Sequence, residues 1–484
     1  MAASLLLFSC SSTNEGPEDG VEGAPLWLAI SVDLPRFTQS RAGVADKDND
    51  QSYEGSANDQ KVTSARVVLY DNNNMALYSF DITSTDIAAG SFTNAPFTIK
   101  ARALKKANYL VLVLVNPNDK VKAVTNKGNV KSQFEAAASV TVNDLASTNG
   151  VFMTNARGYI STADANWKET QAEAEATNVP VKVQVERAVG KVFISPANGG
   201  NVEVEGGATV ATATMSDFAL DVTNQKTFWM RKPGLGLTGN GTSTAEAPTA
   251  TETPTTPHYY QYAEDPNMGI TTTTEFNNAA EYPQTFSTGG WDDEKGIYVV
   301  ENTMNANAQK RNNTTRVLVR LRYLPASLAF DATDNNSWAD YRGKLMTLKE
   351  LKQKIADGAN QTDEQLKMPV GFKADMAQLS TEEKTFSKSF VSHNLKYYHQ
   401  GLNIYSTYIR HFDDTKQPKL MAYGRYGVVR NHIYKITITK VMGPGSPVPP
   451  TPDDNPDDNT TTYIAVNTVV APWNTRVLSP IILN

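Results

Sequence analysis

The chain has one cysteine, Cys10, in 484 residues, which excludes an intrachain disulfide framework. No run of 18 apolar residues occurs in it, so no transmembrane helix is expected. Basic residues are in deficit: 45 Lys and Arg stand against 51 Asp and Glu, a formal net charge of −6. No basic face advertises nucleic acid. The Gly-x-Ser-x-Gly elbow of the hydrolases is missing. Gly234-Leu235-Gly236-Leu237-Thr238-Gly239 spells a dinucleotide-binding pattern, yet it leads into a Pro/Thr loop and not into the helix that would hold a pyrophosphate. His393, His399 and His411 fall at i, i+6 and i+18 with Asp413 and Asp414 nearby, a spacing that matches no zinc signature. Asp453-Asp454-Asn455-Pro456-Asp457-Asp458 shares only composition with a calcium loop, lacking the glycine and the terminal glutamate. No catalytic constellation, cofactor or metal is expected, and the chain is not read as an enzyme.

What is present is β-sheet. Thr, Asn, Ala and Val are abundant, which favours strands and turns over long helices. Leu26, Leu28, Ile30, Val32 and Leu34 alternate strictly with Trp27, Ala29, Ser31 and Asp33, the pattern of one half-buried strand. A polar loop follows to about Asp59, the kind of segment proteases cut. Val62–Leu69 and Met75–Phe80 flank an Asn-rich hairpin turn, and Asn108–Val115 reads as a central strand. Val181–Arg187 continues towards Val192–Ile194, and a break near Pro196–Gly207 marks a domain boundary. Phe218–Val222, Gly296–Glu301, Val317–Leu324 and Tyr397–Tyr408 read as further strands, and Thr238–Pro257 as a surface loop. One helix is clear: Thr347 and Glu350 form a capping box, Leu348, Leu351 and Ile355 a stripe, and Gly358 a stop. The fold class is therefore all-β, two tandem β-sandwiches with few short helices.

Both ends carry unusual segments. Leu5-Leu6-Leu7-Phe8-Ser9-Cys10 is a short apolar run before a cysteine, followed by a polar tether. It resembles the end of a bacterial lipoprotein signal, with Cys10 as the acylated residue. At the other end the strand His432–Val441 runs into Gly443–Asn459, which holds six prolines and four aspartates and reads as a solvated leash. Extended, its 17 residues would reach roughly 50 Å at about 3.1 Å per residue. Tyr463–Val470 then reads as an edge strand of its own domain, and Val477–Asn484 as a strand that must pair with something, a neighbour's domain or, as the alternative, an edge of its own. Val477, Ser479, Ile481 and Leu483 share one parity, Leu478 and Ile482 the other, and the residues alone do not choose a buried face. Pro480 lacks a ladder N–H and calls for a bulge or break.

Val185-Glu186-Arg187-Ala188-Val189-Gly190-Lys191, Val317-Leu318-Val319-Arg320 and Val428–Ile436, followed by the Pro/Asp linker, Val470-Ala471-Pro472-Trp473 and the apolar tail, occur here in one order. In that order they resemble the major fimbrial subunits of Bacteroidales, the Mfa-type fimbrilins or type V pilins. The resemblance implies transthyretin-like sandwiches, a lipid-anchored precursor at the outer membrane, and cleavage by a trypsin-like Arg-specific protease. In Ser40-Arg41-Ala42-Gly43 the cut falls between Arg41 and Ala42; residue type alone leaves Arg36 equally open. The resemblance further implies release of the first strand (Leu26, Leu28, Ile30, Val32, Leu34) and its replacement by a neighbour's donor strand (Val477, Leu478, Ile481, Ile482, Leu483). Partners implied are identical subunits head-to-tail, tip and anchor subunits, and the protease. The implied order is 1–10 signal end, 11–41 propeptide, 42–200 and 201–442 sandwiches, 443–460 linker, and 461–484 C-terminal strands.

Energetics agrees with such an exchange. Stripping Leu26–Leu34 from a sandwich removes five apolar positions, about 7–15 kcal/mol of burial at roughly 1.5–3 kcal/mol each. An empty groove of that kind takes up a strand, and unlike donor and acceptor surfaces build a filament if they do not close into a ring. A monomeric surface lipoprotein that binds glycan or protein, and a fimbrial tip or anchor component, are the alternatives.

Overall fold

Period-2 patterning places most strands. The structure, a computed structural model, describes residues 25–35, 56–92, 96–156, 158–176, 178–232, 264–269, 276–277, 287–290, 295–411, 425–457 and 464–472. Cys10, Arg41, Ala42, Val477, Leu478, Ile481, Ile482 and Leu483 lie outside these residues, as do Gly234–Gly239, Asp413 and Asp414. The described chain is mostly strand with a few short helices.

The first unit uses β1 (Leu26–Asp33), β2 (Ala65–Tyr70), β3 (Ala76–Ile82), β4 (Phe97–Leu104), β5 (Leu110–Val115), β6 (Met153–Asn155) and β7 (Val181–Arg187). One layer runs β4-β1-β7 and the other β7-β6-β5-β2-β3, with β7 shared between them. Their facing sides meet in one core, including Leu28, Ile30 and Val32 from β1, Val67 and Leu69 from β2, and Val111 and Val113 from β5. The hairpin between β2 and β3 turns at Asp71–Met75, with Asn74 at φ 60, a conformation that suits asparagine.

The second unit contains β8 (Val189–Pro196), β9 (Asn201–Val204), β10 (Ala211–Asp221), β11 (Ile297–Val300), β12 (Arg316–Pro325), β13 (Leu402–Tyr408), β14 (His432–Val441) and β15 (Ile464–Pro472). Their order is β11-β8-β14-β9-β10-β12-β13, with β15 antiparallel to β14. The core fills with Val192, Phe218, Val319, Tyr405, Ile436 and their neighbours. Sheet membership changes at Ala188, between β7 and β8. Gly206 and Gly207, both at positive φ, turn the chain from β9 into β10 within this unit. A third core joins the units: Val68, Leu112 and Leu114 pack with Phe152, Trp229, Phe193 and Ile433.

Two expectations need correction. Tyr397–Tyr408 is two strands, not one: Leu395–Tyr398 and β13 lie in different sheets. Gln400 at φ 53 and Gly401 at φ 67 break the path between them. The first of these strands belongs to a four-stranded sheet inserted between β12 and β13, which packs with two helices around Leu351, Phe372 and Tyr397. Gly358 ends the helix Leu348–Asp357, whose Thr347–Glu350 capping box is formed, but it sits at φ −57 and not in the left-handed region. The chain continues with helical hydrogen bonds through Ala359 and Asn360, so no reversal is needed there.

The second correction concerns the leash. Residues 443–457 are docked along the second unit and are not a solvated spacer. Ser446 exchanges two backbone hydrogen bonds with Ile404 at 2.7 and 2.9 Å, capping the outer edge of β13. Tyr405 and Tyr398 donate their hydroxyls to the carbonyls of Gly443 and Gly445. Arg316 donates to the Pro450 carbonyl, Arg311 pairs with Asp453 at 3.1 Å, and the Arg311 amide donates to Asn455 O at 3.0 Å. Proline does not prevent this, because the strap accepts mostly through carbonyls, which proline keeps, and gives its N–H groups from non-proline residues such as Ser446.

Candidate functional site

β1 is an interior strand. Along one edge Ile30–Asp33 runs parallel to Val181–Gln184 of β7, while Trp27 and Leu28 face Lys168 and Trp167. Along the other edge it is antiparallel to β4, from Leu26↔Leu104 to Val32↔Phe97. The register shifts between Leu28 and Ile30, and Ala29 has no Cα partner on either side. That is the signature of a bulge in β4, where Lys100 and Ala101 lie opposite the single residue Ala29.

Both faces of β1 are covered. Leu28, Ile30, Val32 and Leu34 are buried and Leu26 half-buried. An apolar gap between the layers adjoins them, lined by Leu28, Ile30, Val67, Leu69, Ile82 and Leu104. On the opposite face Ala29 meets Ala101 of β4 and Ala174 of the helix Gln171–Ala176, with Trp27 packed against them. Four buried aliphatic side chains amount to about 6–12 kcal/mol of burial, an upper estimate.

The chain re-enters the described structure at helix α1 (Ala57–Gln60), which acts as a rivet. Ser56 and Asp59 form its capping box. Asp59 is fully buried, and its carboxylate accepts from Lys191 Nζ of β8 at 2.9 Å and from the Tyr298 hydroxyl of β11. Its carbonyl accepts from Arg187 Nε of β7 at 3.0 Å. Asn58 and Lys61 donate to the carbonyls of Ser147 and Thr148 in the first unit. Burial pushes the Lys191 ammonium below its ordinary range against the pull of Asp59, and lowers Arg187 to about 10. A second buried network lies alongside: Glu186 holds Arg231 through two bonds at 2.7 and 2.8 Å, and Glu301 holds Arg430 at 2.7 Å. Arg430 also donates to Thr227 Oγ1 and to the Trp229 and Phe228 carbonyls.

Sequence reading missed Asp59, Arg231 and Glu301. Their signal was faint: single charges in unremarkable local sequence, with partners 45 to 239 positions away. His411 meets His432 and Tyr434 in the second core, whereas His399 packs on Tyr397, so the spaced histidines do not converge. Among the described residues no group of His, Cys, Asp or Glu is arranged to hold a metal. At the C-terminal side β15 pairs with β14 from His432↔Pro472 to Val441↔Ile464, the position of the edge strand read from Tyr463–Val470.

Residues 396–478 match the family model described as "Major fimbrial subunit protein type IV, Fimbrillin, C-terminal". No curated protein matches the chain. Among solved structures, a fimbrilin (fimA) from Porphyromonas gingivalis is 15% identical, covers 93% of this chain and 99% of its own, and gives a TM-score of 0.41. A protein from Parabacteroides distasonis described as a cell-adhesion protein is 11% identical, covers 93% and 100%, and gives 0.44. The tip fimbrial protein Mfa3 from Porphyromonas gingivalis, with a C-terminal truncation, is 11% identical, covers 92% and 100%, and gives 0.37. The family match falls on the strand Leu395–Tyr398, β13, β14, the strap and β15. Residues 396–478 are similar to the C-terminal region of the fimbrillins, in line with the resemblance read from the sequence.

Proposed function

We propose that this chain, similar over residues 396–478 to the C-terminal region of the fimbrillins, is a structural subunit of a fimbrial shaft, built from two tandem transthyretin-like sandwiches. It is exported as a precursor acylated at Cys10 and anchored in the outer membrane. A trypsin-like protease cuts between Arg41 and Ala42, β1 leaves, and Val477–Asn484 of the next subunit takes its place, supporting adhesion from the cell surface. Tip and anchor subunits complete the fimbrium.

The observation that carries this reading is the seating of β1. A strand with neighbours on both edges and a core on both faces leaves a slot that water cannot fill. The only covalent continuation of β1 towards the fold runs through residues 36–55, which hold Arg41, and α1 beyond them is pinned.

Trypsin treatment of purified precursor, followed by gel electrophoresis without boiling, tests it. The intact chain is expected to give a ladder of oligomers after cutting. Deletion of Val477–Asn484, or Arg36→Ala with Arg41→Ala, is expected to give none. A normal ladder after the tail deletion would remove the donor role from that segment.

A further inference from the structure

The strand-exchange reading above leaves open how the incoming segment sits, and β1 itself answers this. We propose that Val477–Asn484 of a second copy enters the slot in the direction of β1, with Pro480 at the position of Ala29. Proline has no N–H to give to a ladder, so in a strand flanked on both sides it needs a site where none is required. Of the eight positions of β1, Ala29 alone lacks a Cα partner on both neighbours.

Fixing that one position sets the rest. Ile481 falls on Ile30 and Leu483 on Val32, two buried sites that keep aliphatic side chains. Val477 falls on Leu26, Leu478 on Trp27, and Asn484 on Asp33, which keeps a polar residue at the end. The buried parity is therefore Val477, Ser479, Ile481 and Leu483. A slip by one residue turns this set outwards. A slip by two puts Pro480 at Trp27 or Ser31, each paired on both edges. Reversing the strand would convert the parallel edge at β7 into an antiparallel one and the β4 edge into a parallel one, whose hydrogen bonds are spaced differently. Two sites are left underfilled: Ser479 replaces Leu28 beside the apolar gap, and no residue of Val477–Asn484 reaches the buried site of Leu34 in this register. Ser479 is the position at which donor affinity is open to improvement.

Engineered disulfides in the full chain test the register, in a Cys10→Ser background. Ser31 faces Thr98 of β4, both half-buried, so the proposed register sets Ile482 opposite Thr98. Trypsin-cut Thr98→Cys with Ile482→Cys is expected to give a ladder that survives boiling without reductant. Thr98→Cys with Leu478→Cys, the pair a reversed strand would join, is expected not to. Ser479→Leu is expected to slow depolymerisation about ten- to a hundredfold by filling the gap. Cross-linking through Leu478, or faster depolymerisation of Ser479→Leu in a ladder that still forms, would overturn the register while leaving strand exchange intact. Failure of the cut parent chain to form any ladder would overturn both.

Discussion

Ile30→Ala separates a removable strand from a permanent one. Ile30 is 6% exposed, pairs with Ile99 of β4 and Val181 of β7, and borders the apolar gap. Truncating a buried isoleucine to alanine costs about 2–5 kcal/mol, and the adjoining gap limits how far the site can collapse. In the uncut precursor this is an ordinary loss of stability, read as a lower urea midpoint at unchanged slope. After cleavage beyond β1 the strand is held only by packing and hydrogen bonds. The same energy then weakens its retention, by about 30-fold to several thousandfold at 1.4 kcal/mol per tenfold. Ladder formation after trypsin should accelerate accordingly, up to the point where another step limits it. Ser31→Ala, on the other face and half-buried, is the matched control and should leave the rate nearly unchanged. If Ile30→Ala lowers the urea midpoint while the cut chain polymerises at the parent rate, β1 is not the element displaced, and the assembly argument fails.

Asp59→Asn leaves Lys191 buried without its carboxylate and should cost about 3–5 kcal/mol in urea unfolding; Asp59→Leu with Lys191→Met should cost less than the single change. Burial pushes Asp457 up to about 8, above the roughly 3.9 of an unfolded aspartate. The folded chain thus keeps a proton that the unfolded chain loses, and this contribution to stability falls from about pH 4 to about pH 8. Asp265, also pushed up to about 8 by burial, acts in the same window, so the comparison is with Asp457→Asn, which should decline less steeply and be the more stable protein at pH 8; superimposable profiles would contradict this. Gly401→Ala places a Cβ 2.7 Å from Leu324 Cδ2 and 3.0 Å from the Asn336 carbonyl, at φ +67, and should lose more than about 1 kcal/mol by chemical denaturation.

The legible features were the local ones. β1 showed because five apolar residues alternate without interruption, and the Thr347–Glu350 helix because its capping box is contained in four residues. The passage from β7 to β8 was hidden because Glu186, Arg187 and Lys191 interrupt the apolar pattern there. Their partners Arg231 and Asp59 come from a remote loop and from helix α1, which only the fold brings in. The strap misled for a different reason. Proline and aspartate mark a segment that cannot form a core of its own, but composition does not reveal whether a neighbouring sheet edge will receive its carbonyls. Ile404 and Arg316 do so, and neither bears a signal for it. Ala29 was seen only as one more outward residue of a strand, since a bulge depends on the partner strand's register.

The docked strap changes the reach of the tail. Residues 443–457 are bound to the second unit and Ile464–Pro472 is paired to β14, so the tail is held up to Pro472. Only Trp473–Arg476 separates Pro472 from Val477, a span of at most roughly 18 Å at about 3.6 Å per residue. The roughly 50 Å estimated for a free leash is therefore not available while β15 stays in place. Pro472 pairs with His432, two residues beyond Arg430, whose ion pair lies at the junction of the units. A donor strand leaving from there serves a neighbour whose β1 slot approaches that junction. Polymerisation on these terms should leave amide protection in His432–Val441 unchanged when monomer and ladder are compared by hydrogen exchange. Loss of protection along β14 would show instead that β15 departs with the tail, which would extend the reach and break the ladder that now holds it.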